Sequence, residues 1–133
     1  MRKLPLMLAA SLFVLTSPAQ STHRQDGEAR LARAVEGRVA GEPVDCIQLH
    51  QVRSSTIIDN EAILFDAGAT IYVNRPRAGR ESLDHWDTLL TRPFGSRLCS
   101  IDVVRLLDAT SRMETGTVFL GEFVPYTRKR SGR

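Results

Sequence analysis

The chain contains almost no lysine. Between Gln20 and Thr127 there is none, and the 12 arginines of that stretch are outnumbered by 15 acidic residues, which leaves a net charge of −3. The formal charge of +3 and the pI near 9.3 come from the two ends: Arg2 and Lys3, and four basic residues among the last six. A basic stripe on the folded body is therefore missing, and nucleic-acid binding is not predicted.

No apolar run is long enough to span a bilayer. The longest, Leu4 to Thr16, has 13 residues, whereas a spanning helix needs about 20. It follows the positive Arg2-Lys3 pair and precedes the small residues Ser17-Pro18-Ala19. This order is typical of a signal peptide over residues 1–19, so we expect cleavage near Ala19 and a periplasmic or secreted protein. No cysteine follows, which excludes an N-terminal lipid anchor.

Cysteine is scarce as well, with Cys46 and Cys99 the only two. An even pair within apolar segments of an exported chain indicates a disulfide. Free or reactive thiols are the alternative that the count leaves open.

Signatures of the common enzyme classes are absent. The sequence has no Gly-rich phosphate loop, no Gly-x-Ser-x-Gly and no His-Glu-x-x-His. Cys46 and His50 would lie about 13 Å apart on a strand, too far for a thiolate and its base. Asp84, His85 and Asp87 do not converge on a helix, so we interpret the acids as helix caps and predict no metal or cofactor site.

The hydrophobic pattern predicts an α+β, mainly β domain. One antiparallel sheet of about five or six strands, curled into a partly open barrel, carries an N-terminal helix over 27–37 on one side. We expect strands at 44–51, 56–58, 62–65, 70–74, 101–108 and 117–123, the middle three forming a meander. The run Val103-Val104 with Leu106-Leu107 predicts burial on both faces. A second helix is expected from Ser82 to Leu90 because Leu83, Trp86 and Leu89 recur at helical spacing.

The predicted organisation has four parts: the signal peptide (1–19), a flexible leader (20–26), a single domain (27–126) and a basic tail (127–133). No strand is predicted from Pro125 onward. The tail could make weak contact with anionic surfaces. Gly121 indicates a bulge or a close approach of two backbones.

Four segments carry a family resemblance: GEPVDCI at 41–47, IYVN at 71–74, SRLCSID at 96–102 and LGEFVPY at 120–126. Over about residues 31–126 they resemble domain-of-unknown-function family 6491, small exported proteins of proteobacteria with no established activity. Many members have four cysteines. This chain matches the first and third and lacks those near Arg80 and Val118, so the resemblance implies that Cys46 pairs with Cys99.

Tyr72, Asn74 and Asp102 match the family motifs and are the best candidates for a small polar site. A structural role at strand ends and turns is the favoured alternative. We therefore expect an exported, non-enzymatic binding or structural module whose partner is an unknown envelope protein or component. The rival hypothesis is a small periplasmic hydrolase in which the sheet brings Asp102, Tyr72 and His50 together.

Overall fold

A computed structural model describes residues 19–93 and 95–130. The helix α1 is Ala19–Ala34, and ten strands follow it: β1 (Arg38–Ala40), β2 (Cys46–Gln48), β3 (Ser54–Ile58), β4 (Ala62–Asp66), β5 (Thr70–Asn74), β6 (Asp87–Leu90), β7 (Arg97–Cys99), β8 (Val103–Asp108), β9 (Glu114–Phe119) and β10 (Phe123–Arg128). The domain is mainly β with one N-terminal helix, as predicted. The predicted signal peptide lies outside the described residues except for Ala19.

The strands form three antiparallel sheets. The largest has the order β1-β10-β5-β4-β3, and the smaller ones are β2-β7 and β6-β8-β9. The five-stranded sheet of the prediction is present. The sheet does not close into a barrel, because its outer strands β1 and β3 do not pair with each other.

Both faces of the five-stranded sheet are covered. On one face, Leu31 of α1 packs with Ile58, Leu64 and Val73. On the other face, the sheet and the two smaller sheets share the main core, whose members are Ile47, Ile57, Ile63, Phe65, Leu83, Leu98, Val104, Leu106, Val118, Leu120 and Phe123. The molecule therefore has three layers, with the five-stranded sheet in the middle.

The predicted meander is confirmed as β3, β4 and β5 in antiparallel succession. Asn60 at the β3–β4 turn takes the left-handed conformation, with φ of 56°, which asparagine tolerates better than most residues. Gly121 lies against the backbone of Arg75, since a Cβ at this glycine would come within 2.5 Å of the Arg75 carbonyl oxygen. The close approach predicted there is confirmed.

The helix α1 is displaced from its prediction. Its described part, Ala19–Ala34, includes the segment expected to be a flexible leader, and the helix ends before Gly37, whose φ is +74°. Gly27 allows the helix to approach the β3–β4 turn closely: a Cβ there would lie 3.0 Å from Cβ of Glu61. Beside it, buried Glu61 pairs with Arg75, which also pairs with Glu28 of α1.

The helix predicted from Ser82 to Leu90 is wrong. A single 3-10 turn at Arg80–Ser82 is followed by a turn at residues 85–86 and by β6. The three residues whose spacing suggested a helix have different environments: Leu83 is buried, Trp86 is 70% exposed and Leu89 is partly buried against the core. The spacing therefore did not mark one helical face.

Three strand predictions need correction. The strand predicted at 44–51 is the shorter β2, Cys46–Gln48, because Leu49–Gln51 forms a 3-10 turn. The central place of β8 in its sheet is confirmed, but burial on both faces is wrong, since Val103 is 45% exposed. The predicted strand at 117–123 is two strands, β9 and β10, and β10 includes Pro125 and part of the predicted tail.

Pro125 fits in β10 because of where β1 ends. Its carbonyl oxygen accepts a hydrogen bond from the Gly41 N–H at 2.7 Å, on the side of β10 that faces β1. The amide and carbonyl of one strand residue point to the same side, so the missing N–H also faces this side. The bond that Pro125 forgoes is the return bond to the Gly41 carbonyl, which lies beyond the end of β1 at Ala40, so the paired residues of β1 and β10 keep their ladder.

Candidate functional site

Asn74, a predicted site residue, is entirely buried and binds backbone. Its Nδ2 donates to the carbonyl oxygen of Gly121 at 2.6 Å, and its Oδ1 accepts from the Gly121 N–H at 3.1 Å. The side-chain amide thus satisfies the N–H and the carbonyl of Gly121, as a neighbouring strand would, in the loop between β9 and β10. Tyr72, two residues earlier on the same face, is partly buried against the main core.

Asp102 and His50 lie in other surroundings. The Asp102 carboxylate accepts a hydrogen bond from the Cys99 N–H at 2.7 Å, which closes the turn after β7. Its backbone carbonyl accepts from the Leu120 N–H, next to the Gly121 that Asn74 binds. His50 is exposed on the 3-10 turn after β2. Asn74 and Asp102 thus bind adjacent residues, Gly121 and Leu120, in the loop between β9 and β10, and both bonds stabilise its backbone.

The predicted disulfide is confirmed: Cys46 and Cys99 are bonded and lie opposite each other in the β2–β7 pair. Neither sulfur is therefore a free thiol in the folded chain.

A cluster of titratable side chains forms at the β3–β4 turn. The Asp59 carboxylate lies 2.5 Å from Nη1 of Arg30 in α1, and its Oδ1 lies 2.9 Å from Nδ1 of His85. The backbone N–H of His85 also donates to Asp59 at 2.6 Å. The prediction that Asp84 caps a helix is wrong. Its carboxylate accepts a hydrogen bond from the Trp86 N–H in a turn. Asp59 thus links the helix, the hairpin and the segment before β6.

Hydrogen bonding sets the charge state of Asp59. Partial burial would raise the pKa of this carboxyl, but the bonds from the His85 side chain and backbone and from Arg30 together outweigh burial, and the pKa lies below 3.8. The ionised form is therefore stabilised by folding.

We expect Asp59→Asn to destabilise the fold at pH 7 by about 1 kcal/mol, the upper end for a partly exposed ion pair. Because folding lowers the pKa of Asp59, its stabilising contribution is complete above the unfolded value of 3.8 and disappears as the pH falls toward the folded pKa. Urea unfolding from pH 7 to pH 2 should therefore show the variant and wild type converging in acid. Asp26→Asn, an equal charge change at an exposed residue, is the control; a gap that stays constant with pH would contradict the assignment.

Three ligand atoms of Asp59, Asp84 and His85 lie within 4.8 Å of one another. This group was not predicted from the sequence, because Asp59 is far from the other two residues in the chain. A metal ion would have to displace Arg30 from Asp59, and hydrogen bonds already account for the arrangement.

A polar groove of about 260 Å³ opens beside this cluster. Its walls come from α1, β3 and β6, and it is lined by Arg30, Ser55, Thr56, Ile57, His85, Asp87, Thr88 and Leu89. The ring of Trp86 packs on the ring of His85, which is one of the lining residues, with centroids 4.6 Å apart. Trp86 is the only tryptophan of the chain and is 70% exposed. An exposed, positioned aromatic next to hydrogen-bonding groups is typical of a binding surface.

Comparison with known protein families, curated proteins and solved structures finds no match. The resemblance to domain-of-unknown-function family 6491 therefore stays a prediction. Among the described helices, none combines the length and the apolar character that crossing a membrane requires.

Proposed function

We propose that this chain is an exported, non-enzymatic module that binds a component of the cell envelope through the surface formed by Trp86 and the adjoining groove. The observation that carries the proposal is the exposed Trp86 ring held on His85 at the edge of the groove. Export rests on the predicted signal peptide, and the Cys46–Cys99 disulfide is consistent with an oxidising compartment.

The groove offers both hydrogen-bond donors and an acceptor to a polar ligand. Arg30 and the hydroxyls of Thr56 and Thr88 offer donors, and Asp87 offers a carboxylate whose other contact is the Thr115 hydroxyl at 2.5 Å. Trp86 adds a large apolar surface whose burial by a ligand is favourable, and its contact with the His85 ring reduces the ordering that binding requires. A ligand that has both hydrogen-bonding groups and an apolar face fits this surface.

No observation on the described residues favours the hydrolase alternative. It required Asp102, Tyr72 and His50 to act together. The Asp102 carboxylate is bound to the Cys99 N–H, and Tyr72 packs against the core. His50 is exposed after β2.

The test uses immobilised protein and fractionated envelope extract. Trp86→Ala should abolish capture of the component that wild type retains, while the free energy of unfolding changes by less than about 0.5 kcal/mol, because the side chain is mostly exposed. Ile101→Ala is the matched control, since Ile101 is 73% exposed. It lies just before the start of β8, whereas Trp86 lies near the other end of that strand. Titration of the eluted component should also change the fluorescence of the single tryptophan. Equal capture by wild type and Trp86→Ala would show that this surface is not the binding site.

A further inference from the structure

Three arginines converge at the end of the five-stranded sheet that is remote from Trp86. Arg38 belongs to β1, Arg53 directly precedes β3, and Arg128 ends β10. Together with the turn between β4 and β5 they line a depression of about 470 Å³, whose other lining residues are Asp66, Gly68 and Ala69. Residues far apart in the sequence thus place three guanidinium groups around one open volume.

The guanidinium of Arg38 is held in a defined orientation. Its Nη1 donates to the carbonyl oxygens of Ala69 at 2.8 Å and Tyr126 at 3.3 Å, and its Nη2 donates to that of Gly68 at 3.4 Å. The Arg53 guanidinium lies over Gly68, since a Cβ there would come within 3.0 Å of Arg53 Cζ. Two of the three cations are therefore positioned by the β4–β5 turn rather than extended freely into solvent.

The charges around the depression are not balanced by the protein. Arg38 and Arg128 are directly opposite each other on neighbouring antiparallel strands, an arrangement of like charges that is destabilising by itself. Within the described part of the chain, none of the three arginines forms an ion pair. Among the described residues that line the depression, Asp66 is the only acid, and its carboxylate accepts a hydrogen bond from the Gly68 N–H. An anion between the arginines would relieve their repulsion.

We propose that Arg38, Arg53 and Arg128 form a binding site for a phosphate group. Guanidinium groups present paired donors that match phosphate oxygens, and several of them around one depression suit a multiply charged oxyanion better than a carboxylate. The exposed Lys129 and Arg130 directly follow Arg128 and extend the positive surface. The phosphate could be free in solution or part of a lipid headgroup, and these two sources can be separated experimentally.

This site is distinct from the surface assigned to Trp86. Arg53 precedes β3, whereas Asp59, which holds His85, follows it. The groove beside Trp86 reaches along β3 to Ser55, but it shares no lining residue with the depression. Loss of one activity therefore leaves the other measurable.

The first experiment measures thermal unfolding in inorganic phosphate and in sodium chloride of equal ionic strength. A ligand that binds only the folded state raises Tm. Phosphate should raise the Tm of wild type by about 7 °C at a concentration of ten times Kd and should leave that of Arg53→Gln/Arg128→Gln unchanged. Arg33→Gln/Arg92→Gln removes the same charge from exposed residues elsewhere and should respond like wild type. Arg38 is left intact because its hydrogen bonds support the turn.

The second experiment measures co-sedimentation with vesicles of neutral phospholipid and of the same lipid containing an anionic phospholipid. If a lipid headgroup is the source, anionic vesicles retain wild type and a chain ending at Arg128 but release the Arg53→Gln/Arg128→Gln variant. If free phosphate is the source, the Tm shift is present and no vesicle binding depends on the two arginines. The proposal is overturned if neither phosphate nor anionic vesicles bind, or if the double variant responds to both as wild type does.

Discussion

Replacing both cysteines by serine should lower the free energy of unfolding by about 4 kcal/mol and Tm by about 20 °C. The disulfide joins residues 53 apart, and closing a loop of this length in the unfolded chain accounts for about 4 kcal/mol in the chain-entropy model. Such a loss is a large part of the 5–15 kcal/mol that is usual for a small domain. Urea unfolding followed by circular dichroism measures it.

The local structure adds a second reason for a large effect. The disulfide joins β2 and β7, which pair over only three residues and form a two-stranded sheet by themselves. Such a sheet is marginal without further support. Ile47 and Leu98 lie at the centre of this pair and belong to the main core, so loosening the pair also exposes core residues. Wild type unfolded in reductant is the matched control and should match the double variant; a loss under 1 kcal/mol would contradict this account.

The second large effect is expected from Asn74→Ala, at about 3 kcal/mol. The change removes both hydrogen bonds to Gly121 and leaves the N–H and carbonyl of that glycine without their partner. Each unsatisfied buried backbone group costs about 1–3 kcal/mol. Because the Asn74 side chain is fully buried, the variant also leaves a small cavity.

Tyr72→Phe provides the matched control for Asn74→Ala. Tyr72 is on the same face of β5 and packs against the same core, and its ring is retained in phenylalanine. Its free energy of unfolding should stay within about 0.5 kcal/mol of wild type. If Asn74→Ala were as stable as Tyr72→Phe but lost capture of the envelope component, Asn74 would be a binding residue and its structural role here would be wrong.

Local patterns in the sequence were sufficient to predict the meander. β3, β4 and β5 are joined by short turns and pair with their neighbours in sequence, so apolar runs separated by turn residues determine them. Pairings between distant segments were not predictable in this way. β10 pairs with β1 and β5, and its position explains why Pro125 is accepted in a strand although the residue suggested a tail.

The same distinction applies to the candidate sites. The cluster Asp84, His85 and Asp87 was interpreted from the sequence as helix caps and not as a site. Its partners Arg30 and Asp59 come from other elements that only the fold brings near. The phosphate site is also distributed over three distant segments. Disulfide pairing was predictable, because two cysteines allow only one intramolecular pair.

The pairing of β1 with β10 has a consequence for the speed and timing of folding. The paired residues Arg38 and Arg128 are 90 residues apart in the sequence. The pairing of β2 with β7 also joins distant segments. A topology that depends on such distant contacts folds slowly, in milliseconds to seconds, since long loops must close first. During synthesis the large sheet cannot be completed before the last strand has emerged. Until β10 emerges, the edges of β1 and β5 with which it pairs stay open in the nascent chain.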